Sequence, residues 1–147
     1  MANFYSAKNA YPELLKNAQS FIEKFTAMAG EASTIKKIDD NKFEVFGKLF
    51  ELKFSMVRNP IEKLHRDFLG EIRAYAVIET EAGTTEEKHL TCIWFDKFGN
   101  STDLLKEDSS LHSTLTEDDT VINFTQVLLN SLLDSDHFKA YEVQNKK

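Results

Sequence analysis

Apolar and polar positions along the chain change phase at Gly47 and Lys48. Before them Phe43 and Val45 are apolar at odd positions; after them Phe50, Leu52, Phe54 and Met56 are apolar at even positions. Side chains alternate across a strand, so a chain reversal at this point sorts both runs onto one apolar face. A two-residue turn at Gly47-Lys48, of type II′ with Gly first, sets Val45 opposite Phe50 and Phe43 opposite Leu52. Lys42, Glu44, Glu51 and Lys53 then share the wet face.

A three-to-four-residue period precedes this hairpin. Tyr11, Leu14, Leu15, Ala18, Phe21, Ile22, Phe25, Met28 and Ala29 form the stripe of an amphipathic helix. Pro12 suits its first turn and Gly30 its C-terminal cap. A short strand over residues 34–38 leads through Asp39–Asn41 into the hairpin. Asn59-Pro60-Ile61-Glu62 has the pattern of a helix start, predicting a short helix near 60–69 that Gly70 stops.

Residues 71–98 predict a second hairpin reversing near Ala82–Thr85. With Glu81 opposite Glu86, Ile72, Ala74, Ala76 and Ile78 share a face with Phe95, Ile93, Thr91 and His89. Arg73, Tyr75 and Val77 share the other with Trp94, Cys92 and Leu90. Two apolar faces predict central strands covered on both sides. Phe98-Gly99-Asn100 is a further turn, followed by an edge strand near Thr102–Leu105 and a polar loop over 106–116. A second long helix begins near Thr116, with an N-cap hydroxyl and three acids in Thr116-Glu117-Asp118-Asp119. Val121, Ile122, Phe124, Leu128, Leu129, Leu132 and Leu133 form its stripe. The expected fold is therefore α+β: an antiparallel meander of five or six strands against an N-terminal and a C-terminal helix. One domain spans residues 1–147, with 1–9 and 135–147 as candidate frayed ends.

Composition narrows the function classes. The net charge of −6 divides unevenly: residues 1–75 carry 12 basic and 10 acidic side chains, and residues 76–147 carry 6 and 14. An acidic C-terminal half argues against nucleic acid, whose phosphates need clustered cations. It suits a basic protein partner, or serves only to keep the domain dissolved. No run approaches the roughly 20 apolar residues of a membrane span, and the first residues lack a secretory pattern. With one cysteine, the cytoplasm is the expected compartment, a secreted chain without its leader being the alternative.

Signatures of chemistry are few. His65, His89, His112 and His137 form no metal-binding pair, and Asp134-Ser135-Asp136-His137 reads as a solvated helix end. His89 is expected to be partly buried beside Ile78. Cys92 reads as a structural thiol, with Arg73 across the hairpin poised to lie over Trp94. Asp96 and Asp103 flank a turn without the ligand pattern of a calcium loop. No catalytic residue and no cofactor is expected.

These features lead to a non-enzymatic acidic binding protein. Small inhibitors of nucleases and toxins, immunity proteins among them, resemble it in composition. Glu79, Glu81, Glu86, Glu87 and Glu117 are the candidate partner-binding residues. The alternative is a small-molecule or enzymatic pocket on the sheet face at Ala74 and Ala76, lined by Arg73, Tyr75, His89 and Trp94. If both helices pack on one face, the other becomes a ligand site or a homodimer interface.

Overall fold

The computed structural model describes residues 4–32, 34–61, 67–105 and 110–135. Helix α1 (Phe4–Ala32) precedes seven strands, β1 (Ile35–Asp39), β2 (Lys42–Val45), β3 (Lys48–Arg58), β4 (Phe68–Glu79), β5 (Thr85–Phe95), β6 (Asn100–Thr102) and β7 (Ser113–Thr114). Helix α2 (Asp118–Leu133) follows. The strands form one antiparallel sheet in sequence order, a meander with no crossover. The α+β class is as expected, and the strand count exceeds the expected five or six because β7 adds a short final pairing.

Both helices lie on the same face of the sheet. Leu14, Ala18, Phe21 and Phe25 of α1 and Val121, Phe124, Leu128 and Leu132 of α2 join one buried cluster. Phe43, Val45, Phe50, Leu52, Ile72, Ala74, Ala76, Ile93 and Phe95 complete it from the sheet. Rings lock the layers together: Phe25 meets Phe43 edge-on at 5.2 Å, and Phe124 meets Phe21 at 5.1 Å. The expectation of strands covered on both sides holds at the start of β4, where Leu69 and Glu71 on the other face are also buried, and is corrected further along, where Arg73, Tyr75 and Val77 are only half-buried. The odd-numbered side chains of β4 face away from the helices.

Gly70 does not stop a helix; it lies inside β4, opposite Phe95. A Cβ there would fall 2.3 Å from the Phe95 ring, so the bare backbone is what lets that ring seat. Phe68 and Leu69 are already strand, which removes the end of the helix expected near 60–69; residues 62–66 lie outside the described residues. Asn59 instead makes a local turn, its Oδ1 accepting from the Ile61 N–H at 2.8 Å.

Helix α1 begins two turns before Pro12 and runs through Gly30. Pro12 leaves the Lys8 carbonyl without its helical donor, a loss that water can answer because both residues are exposed. The first hairpin turns one residue earlier than expected. Phe46 and Gly47 have φ of 52° and 76°, the double positive φ of a type I′ turn, and Val45 pairs with Lys48 and Phe43 with Phe50. This shift of two in the pairing leaves every side chain on its expected face. Only the partners change.

In the second hairpin, Glu79 pairs with Thr85 rather than Glu81 with Glu86. The Thr80 N–H donates to the Thr84 carbonyl at 2.7 Å, closing a three-residue loop with Gly83 at φ 81°. A bulge follows between Ala74 and Tyr75, where β5 carries the extra residue Leu90. The bulge turns Leu90 into the core and brings His89 opposite Tyr75 instead of Ile78.

Candidate functional site

The outer face of the sheet holds a chain of polar contacts. Glu71 is buried, and its carboxylate accepts from Arg73 Nη2 at 3.2 Å and from Trp94 Nε1 at 2.9 Å. Arg73 thus reaches Trp94 through Glu71, not by lying over the indole. The hydrogen bond and charge of Glu71 hold the Arg73 guanidinium above its ordinary pKa. Further along, Lys53 Nζ bonds Glu87 Oε1 at 2.7 Å and sits 5.3 Å from the Tyr75 ring centre. Tyr75 meets His89 edge-on at 5.8 Å. His89 is exposed rather than partly buried as expected. Partial desolvation, then the nearby Arg73 charge, lowers its pKa. Burial likewise pushes the Cys92 thiol up to about 11, outweighing the opposite pull of Arg73. A thiol so protonated is a poor nucleophile at neutral pH.

A groove of about 380 Å³ opens on the other side of β5. It is lined by three consecutive β5 residues, Thr91, Cys92 and Ile93. Neighbours in a strand point to opposite faces, so a hollow touching all three lies along the strand's edge. The sheet itself explains the gap. Asp96 Oδ1 accepts from the N–H groups of Phe98 and Asn100, at 2.9 and 3.0 Å, and shapes the β5–β6 turn. Strand β6 then pairs with β5 only at Trp94 and Phe95. The Thr102 hydroxyl accepts from the Leu104 N–H at 3.2 Å, bending the chain away from β5. The strand expected near Thr102–Leu105 thus runs over Asn100–Thr102 instead, and on the edge of β5 away from β4 no described strand pairs with Thr85 to Ile93.

The far wall of the groove is the start of α2, which α1 holds in place. Lys24 Nζ donates to the Thr116 carbonyl at 2.6 Å and pairs with Asp118, also at 2.6 Å. Asp103, Glu117 and Asp119 line the groove, and no Lys or Arg does. None of these three carboxylates forms an ion pair among the described residues, whereas Asp118 is answered by Lys24. Phe124 and Val127 supply apolar lining.

The expected partner-binding residues do not form one patch. Glu79, Glu81, Glu86 and Glu87 are exposed around the β4–β5 loop, but Glu86 and Glu87 point to opposite faces and Glu87 is occupied by Lys53. Glu117 lies at the groove, whose nearest β5 residue, Thr91, is five positions from Glu86, about 17 Å along the strand. Sequence reasoning missed Asp103 and Asp119 as groove residues, because it placed the first beside a turn and the second in a helix-start acid run. Ala74 and Ala76 are fully buried in the aromatic core beneath the helices. Among the described residues no group of three or more His, Cys, Asp or Glu is arranged to hold a metal, and no helix is long and apolar enough to cross a membrane. Asp136 and His137 lie outside the described residues. No protein-family model matches the chain, and no curated protein or solved structure matches it either.

Proposed function

We propose that this chain is a non-enzymatic binding domain whose acidic groove, between the β5 edge and the start of α2, receives a basic segment of a protein partner. The observation that carries the reading is the groove's charge: Asp103, Glu117 and Asp119 line it with no Lys or Arg among its lining residues, His112 being the one basic side chain there. Three carboxylates that no described Lys or Arg answers attract a Lys or Arg laid between them. The net charge of −8 over residues 76–147, 6 basic against 14 acidic, extends the attraction outward and steers a basic partner in. If the partner is a nuclease or toxin whose own site is basic, such binding would inhibit it.

The test is capture from a native lysate by the wild-type chain and by the double variant Glu117→Lys, Asp119→Lys. The expected outcome is a defined protein retained by the wild type at low salt, released by about 0.5 M salt and not retained by the variant. Equal retention by both forms, or none by either, refutes the acidic groove as the binding site.

A further inference from the structure

We infer that the partner segment binds in extended form and adds a strand to the β5 edge that no described strand pairs, opposite Thr91, Cys92 and Ile93. The inference rests on the acidic-groove reading and adds to it a backbone geometry.

Strand β6 occupies the sheet position beside β5 for two residues and then leaves it at Thr102. The groove begins where that pairing stops. It is the vacated continuation of the β6 track, with the α2 N-terminus on one side. Amide groups in a strand point alternately to its two edges. At least one N–H or carbonyl among Thr91, Cys92 and Ile93 therefore faces the groove, and no backbone partner from the described residues meets it there.

The edge upstream is guarded. Glu86, Glu87 and Lys88, with the bulge at Leu90, are the devices that keep strand edges from pairing at random. Thr91, Cys92 and Ile93 are uncharged and follow the bulge. An unguarded stretch three residues long, bounded by a charged guard and by β6, is suited to one specific short strand rather than to open-ended association. Charge complementarity selects the occupant: a strand laid here alternates its side chains, and those directed toward Asp103, Glu117 and Asp119 must be Lys or Arg. Backbone pairing supplies affinity, and the carboxylates supply the choice of sequence.

The experiment uses the ¹⁵N-labelled full chain and two capped octapeptides alternating Lys and Thr, one ordinary and one N-methylated at every residue. Charge and side chains are the same in both, but the second cannot donate backbone hydrogen bonds. Binding is followed by amide shifts and by hydrogen exchange at low salt. The ordinary peptide should shift the Thr91–Ile93 resonances and slow exchange of an edge amide about tenfold, and the methylated one should bind about tenfold more weakly. Equal binding of both peptides without slowed exchange overturns strand addition and leaves the acidic-groove reading intact. Shifts confined to the outer sheet face overturn it as well. No binding of either peptide, with Asp119→Lys making no difference, overturns both readings.

Discussion

The inner face of the sheet is held by aromatic rings, and its outer face by charges clasped across strands. Inside, Phe25, Phe43 and Phe50 are at most 1% exposed and touch ring to ring. Outside, β3, β4 and β5 carry Glu71 hydrogen-bonded to Arg73 and Trp94, and Lys53 bonded to Glu87 with its ammonium over the Tyr75 ring. Full burial of a Phe contributes about 2–3 kcal/mol, while a half-exposed ion pair contributes less than about 1. The difference shows where the fold gets its stability and where it can give up surface. The outer face can therefore change its surface contacts without disturbing what holds the layers together.

The sharpest test removes a ring from the dry side. Phe25→Ala should lower the unfolding free energy by about 3–5 kcal/mol in urea titration, because the rings around it cannot collapse into the space. A loss below about 1 kcal/mol would break the contrast between the faces. On the wet side, Glu71→Gln should cost about 1–2 kcal/mol, since Arg73 keeps part of its hydration while Trp94 loses a charged acceptor. Its fluorescence signature is a shift in Trp94 emission with the melting transition still cooperative.

The last effect is absent at neutral pH and develops only in alkali. The Cys92 pKa is raised from 9.0 to about 11 in the folded chain, so the unfolded chain releases its proton first as pH climbs. Stability is then unaffected below about pH 8 and declines between pH 9 and 11, where the unfolded state binds fewer protons. Alkylation by iodoacetamide should follow the same shift, with its half-maximal rate near pH 11 rather than near 9. A wild-type rate curve centred at the ordinary thiol value would show that the outer face is wetter than its contacts indicate.

Much of this architecture was legible in the residues. The phase change around Gly47 located the first hairpin, and the spacing of Leu14, Phe21 and Phe25 located the helix that covers it, because both elements bury one side and period alone reveals that side. The turn itself moved to Phe46-Gly47 without disturbing the faces, since a pairing shift of two preserves parity. Pairing in the second hairpin was not legible. Leu90 inserts a single extra residue whose cause is the core waiting beneath it, and no local pattern announces that.

The groove marks the same boundary. Local sequence determined its ingredients: a Gly-containing turn after Phe95, an acidic helix start, and a strand rich enough in apolar residues to stay in the sheet. Tertiary structure alone decided that both helices cover one face and that Lys24 holds the start of α2 beside the exposed edge, whereas the turn of β6 at Thr102 is a local side-chain contact with Leu104. Alternation and capping act between neighbours a few positions apart. The meeting of Thr91, Asp103 and Glu117 depends on long-range packing, in which an interaction with α1, over 90 residues away from Thr116, sets the distance.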